Sequence, residues 1–139
     1  MTTAPAIPEQ LALAPTRRSS IVHLLRLEGL AVVAISALLY ARTGASGWLF
    51  AAVWLTPDLS ILGYLAGACW GARIYNAVHT YVTPAALAVC GLLLQERMAL
   101  AVALVWFNHI GIDRLVGYGL KYGDGFGYTH LGRLGKRNV

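Results

Sequence analysis

Five ionisable residues sit inside helix-length apolar stretches of this chain: Glu28, Asp58, His79, and the pair His109 and Asp113. Hydrocarbon offers no water to a carboxylate or imidazole, so each costs about 2.5 kcal/mol or more at mid-membrane unless it meets a partner. Residues of these types at these positions are expected to meet each other and form one buried polar site. Two imidazoles and carboxylates suit a divalent metal: zinc or iron on two histidines and an acid, manganese where more acids join.

His109 and Asp113 are spaced i,i+4, which places them one turn apart on one helix face, able to share an ion or a hydrogen bond. Tyr75 and Asn76 precede His79 by four and three residues, a polar face able to orient its imidazole. Pro57 precedes Asp58, removes a backbone hydrogen bond and predicts a kink, with Ser60 placed to satisfy the freed backbone. Broken membrane helices are tolerated where the backbone lines protein or a water-filled cavity, so the defect points to the same place as the acids.

The elements that position these groups are transmembrane helices. The 139 residues are 58% hydrophobic and only 12% charged, with a mean hydropathy of +0.61. That balance excludes an ordinary soluble domain. Spans are predicted over Ile21–Ala41, Gly47–Ala66, Gly71–Leu94 and Ala99–Leu120, each near the ~20 residues needed to cross hydrocarbon. The first is too long for a cleavable signal and is expected to stay. Residues 1–20, with Pro5, Pro8 and Pro15, read as a mobile tail; residues 21–120 read as the membrane domain and 121–139 as a Gly-rich basic segment.

Arg17, Arg18 and Arg26 open the first span, and Lys121, Arg133, Lys136 and Arg137 follow the last, so both ends are expected in the cytoplasm. That requires an even number of crossings. The expected fold is therefore all-α, a four-transmembrane-helix bundle in the cell inner membrane with both termini cytoplasmic. Counted from the cytoplasmic ends, the acids and histidines fall in one layer about 10 to 17 Å deep at ~1.5 Å per residue. The net charge of +5 sits at membrane flanks without a nucleic-acid motif, so lipid headgroups explain it and nucleic acid does not. Cys69 and Cys90 are expected near opposite ends of a span and read as packing residues, not a disulfide.

Residues 117–130 are dense in glycine and aromatics and are expected to bend back over the bundle, with His130 capping the site from below. They contain no phosphate loop and no dinucleotide fingerprint. Arg114 points about 100° from Asp113 and is expected to pair with Glu28 or Asp58 or to snorkel; Arg26 is expected to reach headgroups. His23 lies at the interface, and Trp48, Trp54, Trp70, Trp106, Tyr64 and Tyr118 read as belt or packing residues.

Leu25-Arg26-Leu27-Glu28-Gly29, Pro57-Asp58-Leu59-Ser60, Gly63-Tyr64, Tyr75-Asn76, His79-Thr80-Tyr81, His109-Ile110-Gly111, Asp113-Arg114, Gly117-Tyr118-Gly119-Leu120-Lys121-Tyr122 and Thr129-His130-Leu131-Gly132 carry a resemblance. Over roughly Leu24 to Gly132 the chain resembles a family of small uncharacterised four-helix membrane proteins of prokaryotes, of the domain of unknown function 4260 type. The resemblance implies topology and a shared polar set, and no activity. By analogy, the mixture also looks like small membrane-bound metal-dependent hydrolases.

Three functions fit these residues. In a metal-dependent hydrolase of a lipid-like substrate, His79, His109 and Asp113 would ligate the metal, Asp58 would add a ligand or act in catalysis, and Glu28 would be general base for metal-bound water. No Gly-x-Ser-x-Gly elbow supports covalent acyl transfer. A metal-free acid/base isomerase, cyclase or proton relay would use the same groups. A non-catalytic subunit would dock a larger membrane partner or a second copy through small residues such as Gly63, Gly67, Gly71, Ala85, Ala86 and Ala88. Beneath all three lies a plain polar clamp of the four helices, although interhelical hydrogen bonds averaging ~0.6 kcal/mol make five ionisable groups an inefficient adhesive.

Overall fold

The computed structural model describes residues 15–133, with side chains described over 20–132. Five α-helices and one 3-10 helix follow in order: α1 (Pro15–Thr43), α2 (Gly47–Trp54), the 3-10 helix (Pro57–Ala66), α3 (Ala68–His79), α4 (Val82–Leu93) and α5 (Arg97–Val116). A two-residue antiparallel pair, β1 (Tyr128–Thr129) and β2 (Gly132–Arg133), ends the described chain. Pro15 to Ser20, expected in the tail, are already helical; the rest of the expected tail and the last basic residues lie outside the described residues.

Four helical segments are long and apolar enough to cross a membrane: Ser20–Thr43, Gly47–Ala66, Ala68–Leu93 and Arg97–Val116. Two are single helices and two are broken. Pro57 cannot donate to the Val53 carbonyl, and the chain tightens there from α2 into the 3-10 helix. Val53 O instead accepts from the Thr56 hydroxyl at 2.7 Å and the Thr56 amide at 3.0 Å.

A second break, which the sequence reading did not predict, falls directly after His79. Thr80 turns extended (φ −89°, ψ 146°) before α4 begins at Val82. Pro84 explains it: in a continuous helix its ring would clash with the Thr80 carbonyl four residues earlier. The orphaned carbonyls at the end of α3 find partners elsewhere. Ala77 O accepts from the Thr83 hydroxyl at 2.6 Å, Val78 O from Trp106 Nε1 at 2.9 Å, and His79 O from the Arg114 guanidinium at 3.0 Å.

The fourth span is central: 50% of its apolar window is buried against 6–17% for the others, so α5 is the post around which the rest pack. Its closest neighbour is α1. Gly29 and Gly111 oppose each other so tightly that a Cβ on Gly29 would stand 2.8 Å from the Gly111 carbonyl oxygen. Small residues at such a crossing let helix backbones touch in lipid, where packing rather than water exclusion drives association. Large apolar side chains such as Leu27, Leu38, Leu62 and Leu92 are exposed, as a lipid-facing surface requires.

α5 ends where Gly117 adopts a left-handed conformation (φ 102°, ψ 11°) and the Tyr118 amide donates to the Asp113 carbonyl at 2.7 Å. The chain then runs against α3. Asn76 Nδ2 donates to the Lys121 carbonyl at 2.8 Å while the Lys121 amide donates to Asn76 Oδ1 at 2.7 Å, and the Phe126 ring meets Tyr64 edge-on at 5.5 Å.

Candidate metal centre

The two breaks deliver the chemistry. Asp58 sits in the first turn of the 3-10 helix created by Pro57, and His79 is the last residue of α3. Both meet His109 and Asp113 on the central helix α5. His79 Nε2 and His109 Nε2 are 3.3 Å apart. Asp58 Oδ1 lies 3.7 Å from His79 Nε2 and 3.6 Å from His109 Nε2. Asp113 Oδ2 lies 3.6 and 3.8 Å from the same two nitrogens.

Asp58, His79 and His109 thus form a compact triad whose ligand atoms all lie within 4.8 Å of one another. In a tetrahedral zinc shell with bonds of about 2.0–2.2 Å, neighbouring ligand atoms stand 1.63 bond lengths apart, or about 3.3–3.6 Å. The triad edges of 3.3, 3.6 and 3.7 Å fit that geometry.

The histidine pair is built for lone pairs to converge. His79 Nδ1 is 3.0 Å from the Tyr75 carbonyl, which can only accept, so the proton resides on Nδ1 and the Nε2 lone pair faces the site. Ser60 Oγ lies 3.5 Å from the same Nδ1 rather than on the freed backbone. The Tyr75 ring stacks on His79 at 3.7 Å with a 7° interplanar angle, and its hydroxyl donates to Asp113 Oδ2 at 3.2 Å. His109 is equally buried, with the Trp54 ring edge-on at 4.9 Å and no hydrogen-bond partner on Nδ1. Two carboxylates facing two buried imidazoles concentrate negative charge and lone pairs that a divalent cation would satisfy.

The cluster opens to space. A cavity of about 400 Å³ is lined by Asp58, Ile61, Tyr75, Asp113, Tyr118 and Phe126. Asp58 is 45% exposed and Asp113 16%, whereas each histidine is 1% exposed, so the carboxylates form the cavity wall and the imidazoles its buried back. A larger groove, about 590 Å³ between α1, α4 and α5, contains none of these residues.

Other expected site residues are placed differently. Glu28 is exposed on α1 and outside the triad; its neighbour Gly29, one residue and about 100° further round, is what faces α5. Arg114 makes no ion pair with Glu28 or Asp58 among the described residues. Its guanidinium donates to the backbone carbonyls of His79 and Tyr118, tying the broken end of α3 to the segment after α5. Asn76 holds Lys121 rather than His79. His130 accepts from the Leu120 amide at 2.8 Å and does not line the cavity. Burial pushes its pKa below the ordinary imidazole value, helped by the Arg114 charge.

Two residues matter more than their types alone announced. Asn108 is buried inside an apolar span and donates to Val33 O at 3.1 Å and Ser36 Oγ at 3.2 Å, while its Oδ1 accepts from Trp54 Nε1 at 3.3 Å. It braces Trp54 against the His109 ring, and an amide within an intramembrane apolar run was the available signal. Lys121 was read as a topology marker, yet it is 3% exposed and its Nζ has no hydrogen-bond partner.

No curated protein and no solved structure matches the chain. A family model does, across residues 22–134, which takes in every residue of the triad and its supports. The chain belongs to the family described as Domain of unknown function (DUF4260).

Proposed function

We propose that the protein is a membrane-embedded metal-dependent hydrolase acting on a lipid-like substrate that enters from the cytoplasmic leaflet. The observation that carries this reading is a two-histidine, one-carboxylate triad of metal-ligand dimensions whose carboxylate borders a cavity. Three protein ligands with an open fourth position are the arrangement of catalytic rather than structural zinc. Bound there, a divalent ion would supply Lewis acidity and a nucleophilic water near neutral pH.

The chain's own groups then have distinct tasks. His79 and His109 would hold the ion from the buried side, each presenting Nε2. Asp58 would hold it from the cavity side. Asp113, placed as a ligand on sequence grounds, is the better general base than Glu28, because its Oδ2 is close to both imidazoles and lines the cavity. Tyr75 orients that oxygen through its hydroxyl and His79 through its carbonyl. Residues 117–133 fold back as a cover, a placement supported by the Asn76–Lys121 bonds and the Phe126–Tyr64 contact. The basic residues near both ends of the membrane domain support cytoplasmic termini in the inner membrane.

A second reading is favoured by one distance set. Asp113 approaches both imidazoles as closely as Asp58 does, so it can serve as a fourth ligand that closes the shell into a non-catalytic clamp. Asp113→Asn separates the two. Metal-loaded wild type is expected to hydrolyse one class within a panel of short-chain lipid esters, amides and phosphodiesters. The variant should keep its metal and lose about 10²-fold or more in turnover, the contribution of one positioned proton acceptor. Metal lost with Asp113 would favour the clamp, and undiminished turnover in the variant would remove Asp113 from catalysis.

A further inference from the structure

Arg42 and Arg97 are exposed, and among the described residues neither guanidinium makes a hydrogen bond or an ion pair. Lys121, by contrast, is enclosed by the ring faces of Phe126, Tyr75 and Tyr118, with Nζ 3.8, 5.0 and 5.6 Å from their centres. Arg42 lies in the last turn of α1 and Arg97 opens α5, so both stand at one edge of the membrane, at the end of α5 farther from Asp113. There they border one groove of about 590 Å³ whose walls include Leu39, Leu92, Leu100 and Leu104. The dipole of α1 welcomes a cation at Arg42, but the first turn of α5 disfavours one at Arg97. Glu96, the acid beside Arg97, pairs with neither arginine and does not line the groove.

The groove leads from these charges into hydrocarbon. A narrower groove of about 240 Å³ shares Leu39 and Leu104 with it and reaches Val32 on α1 and Phe107 on α5. Val32 is ten residues from Arg42 along α1 and Phe107 ten from Arg97 along α5, so at ~1.5 Å per residue both helices carry the track about 15 Å inward. That is half of the ~30 Å hydrocarbon thickness, the depth of one leaflet. An apolar track one acyl chain deep, headed by two guanidinium groups that suit a phosphate in fork geometry, has the dimensions and polarity of a phospholipid.

From this placement we infer that the groove between α1, α4 and α5 binds one anionic phospholipid of the leaflet on that side, its phosphate held by Arg42 and Arg97 and one acyl chain seated past Leu39 and Leu104 toward Val32 and Phe107. The lining decides for a net negative headgroup: it holds two cations and no acid, so the ammonium of a zwitterionic lipid finds no counter-charge there. The site stands apart from the metal triad, since Asp113 is sixteen residues, about 24 Å, along α5 from Arg97.

The test is native mass spectrometry of the delipidated full chain in mild detergent, titrated with dioleoyl phosphatidylglycerol and, separately, dioleoyl phosphatidylcholine. Wild type should retain one phosphatidylglycerol and bind it more tightly than phosphatidylcholine. Arg42→Gln and Arg97→Gln should each bind it about 10-fold more weakly, as loss of a charged hydrogen bond predicts. Arg73→Gln removes an equally exposed arginine that sits over Trp70 on α3, outside the groove, and should bind as wild type does. Leu39→Trp keeps both charges and fills the track where the two grooves meet; it should also weaken binding. Thermal-unfolding midpoints equal to wild type would show that the losses are local. No phosphatidylglycerol bound by wild type, equal affinity for the two lipids, or an Arg73→Gln loss as large as those at Arg42 and Arg97 overturns the assignment. Undiminished binding by Leu39→Trp removes the acyl seat and overturns it as well. A wild-type dimer that falls apart in Arg97→Gln, with no lipid retained by either, would give the groove to a second copy instead.

Discussion

Replacing His109 with Gln removes one of three converging ligand atoms while keeping a side chain of similar reach. Structural zinc sites of four ligands release about 10–16 kcal/mol on binding, so a single ligand contributes about 3 kcal/mol. At ~1.4 kcal/mol per decade that is about a 100-fold loss of metal affinity. The His109 ring is 1% exposed and wedged between Trp54 at 4.9 Å and His79 at 5.3 Å, so the neighbouring group close enough to compensate is the Asp113 carboxylate, 3.8 Å from His109 Nε2. The assay is competition against a chromophoric chelator with protein purified in mild detergent without a histidine tag, followed by elemental mass spectrometry. Glu28→Gln is the matched control, expected to keep full metal content because Glu28 is outside the triad. Stoichiometric metal held with unchanged affinity by His109→Gln would refute the site, and metal lost with Glu28 would show that the acid on α1 belongs to it.

Further expectations rest on the supports of the site. Gly29→Ala places a Cβ 2.8 Å from the Gly111 carbonyl oxygen and 2.9 Å from Arg114 Cβ, both on the rigid central helix, and should cost about 1–3 kcal/mol as an overpacked contact; a thermal-unfolding midpoint in detergent equal to wild type would contradict that packing. His130 accepts from the Leu120 amide through Nδ1, and burial holds its folded pKa below the ordinary value of ~6.5. The unfolded segment therefore binds the proton more readily, so its contribution is fully present above about pH 6.5 and fades as pH falls below it. Protection of the Leu120 amide, taken relative to its intrinsic exchange rate at each pH because base-catalysed exchange itself slows on acidification, should drop as pH falls below about 6.5, and His130→Phe should abolish that pH response.

Four apolar segments were legible in the sequence because hydrocarbon thickness imposes a length and a composition that no context overrides. The polar set was legible for a related reason: ionisable side chains are so costly in such segments that Asp58, His79, His109 and Asp113 announced themselves by residue type alone. The kink at Pro57 was also readable, since a proline ring acts on its own helix. The break after His79 carried the same kind of signal in Pro84, but it lies five residues beyond the histidine it releases, and the carbonyls it frees are satisfied by Trp106 and Arg114 on another helix.

What sequence could not assign was which residue on a helix faces which neighbour. One residue is a turn of about 100°, so the same depth that puts Glu28 level with the site leaves it exposed while Gly29 meets α5. Arg114 was expected to pair with a carboxylate or to snorkel, and it sits on carbonyls, because helix breaks elsewhere created acceptors that no local pattern encodes. Lys121 marks the membrane edge in sequence terms and becomes a caged ammonium only through Asn76, 45 positions away. Sequence alone determined the number of spans and the residues that could not stay unpaired in lipid. Only tertiary packing decided their partners, since helix rotation and backbone breaks depend on contacts between segments rather than on any segment's own composition.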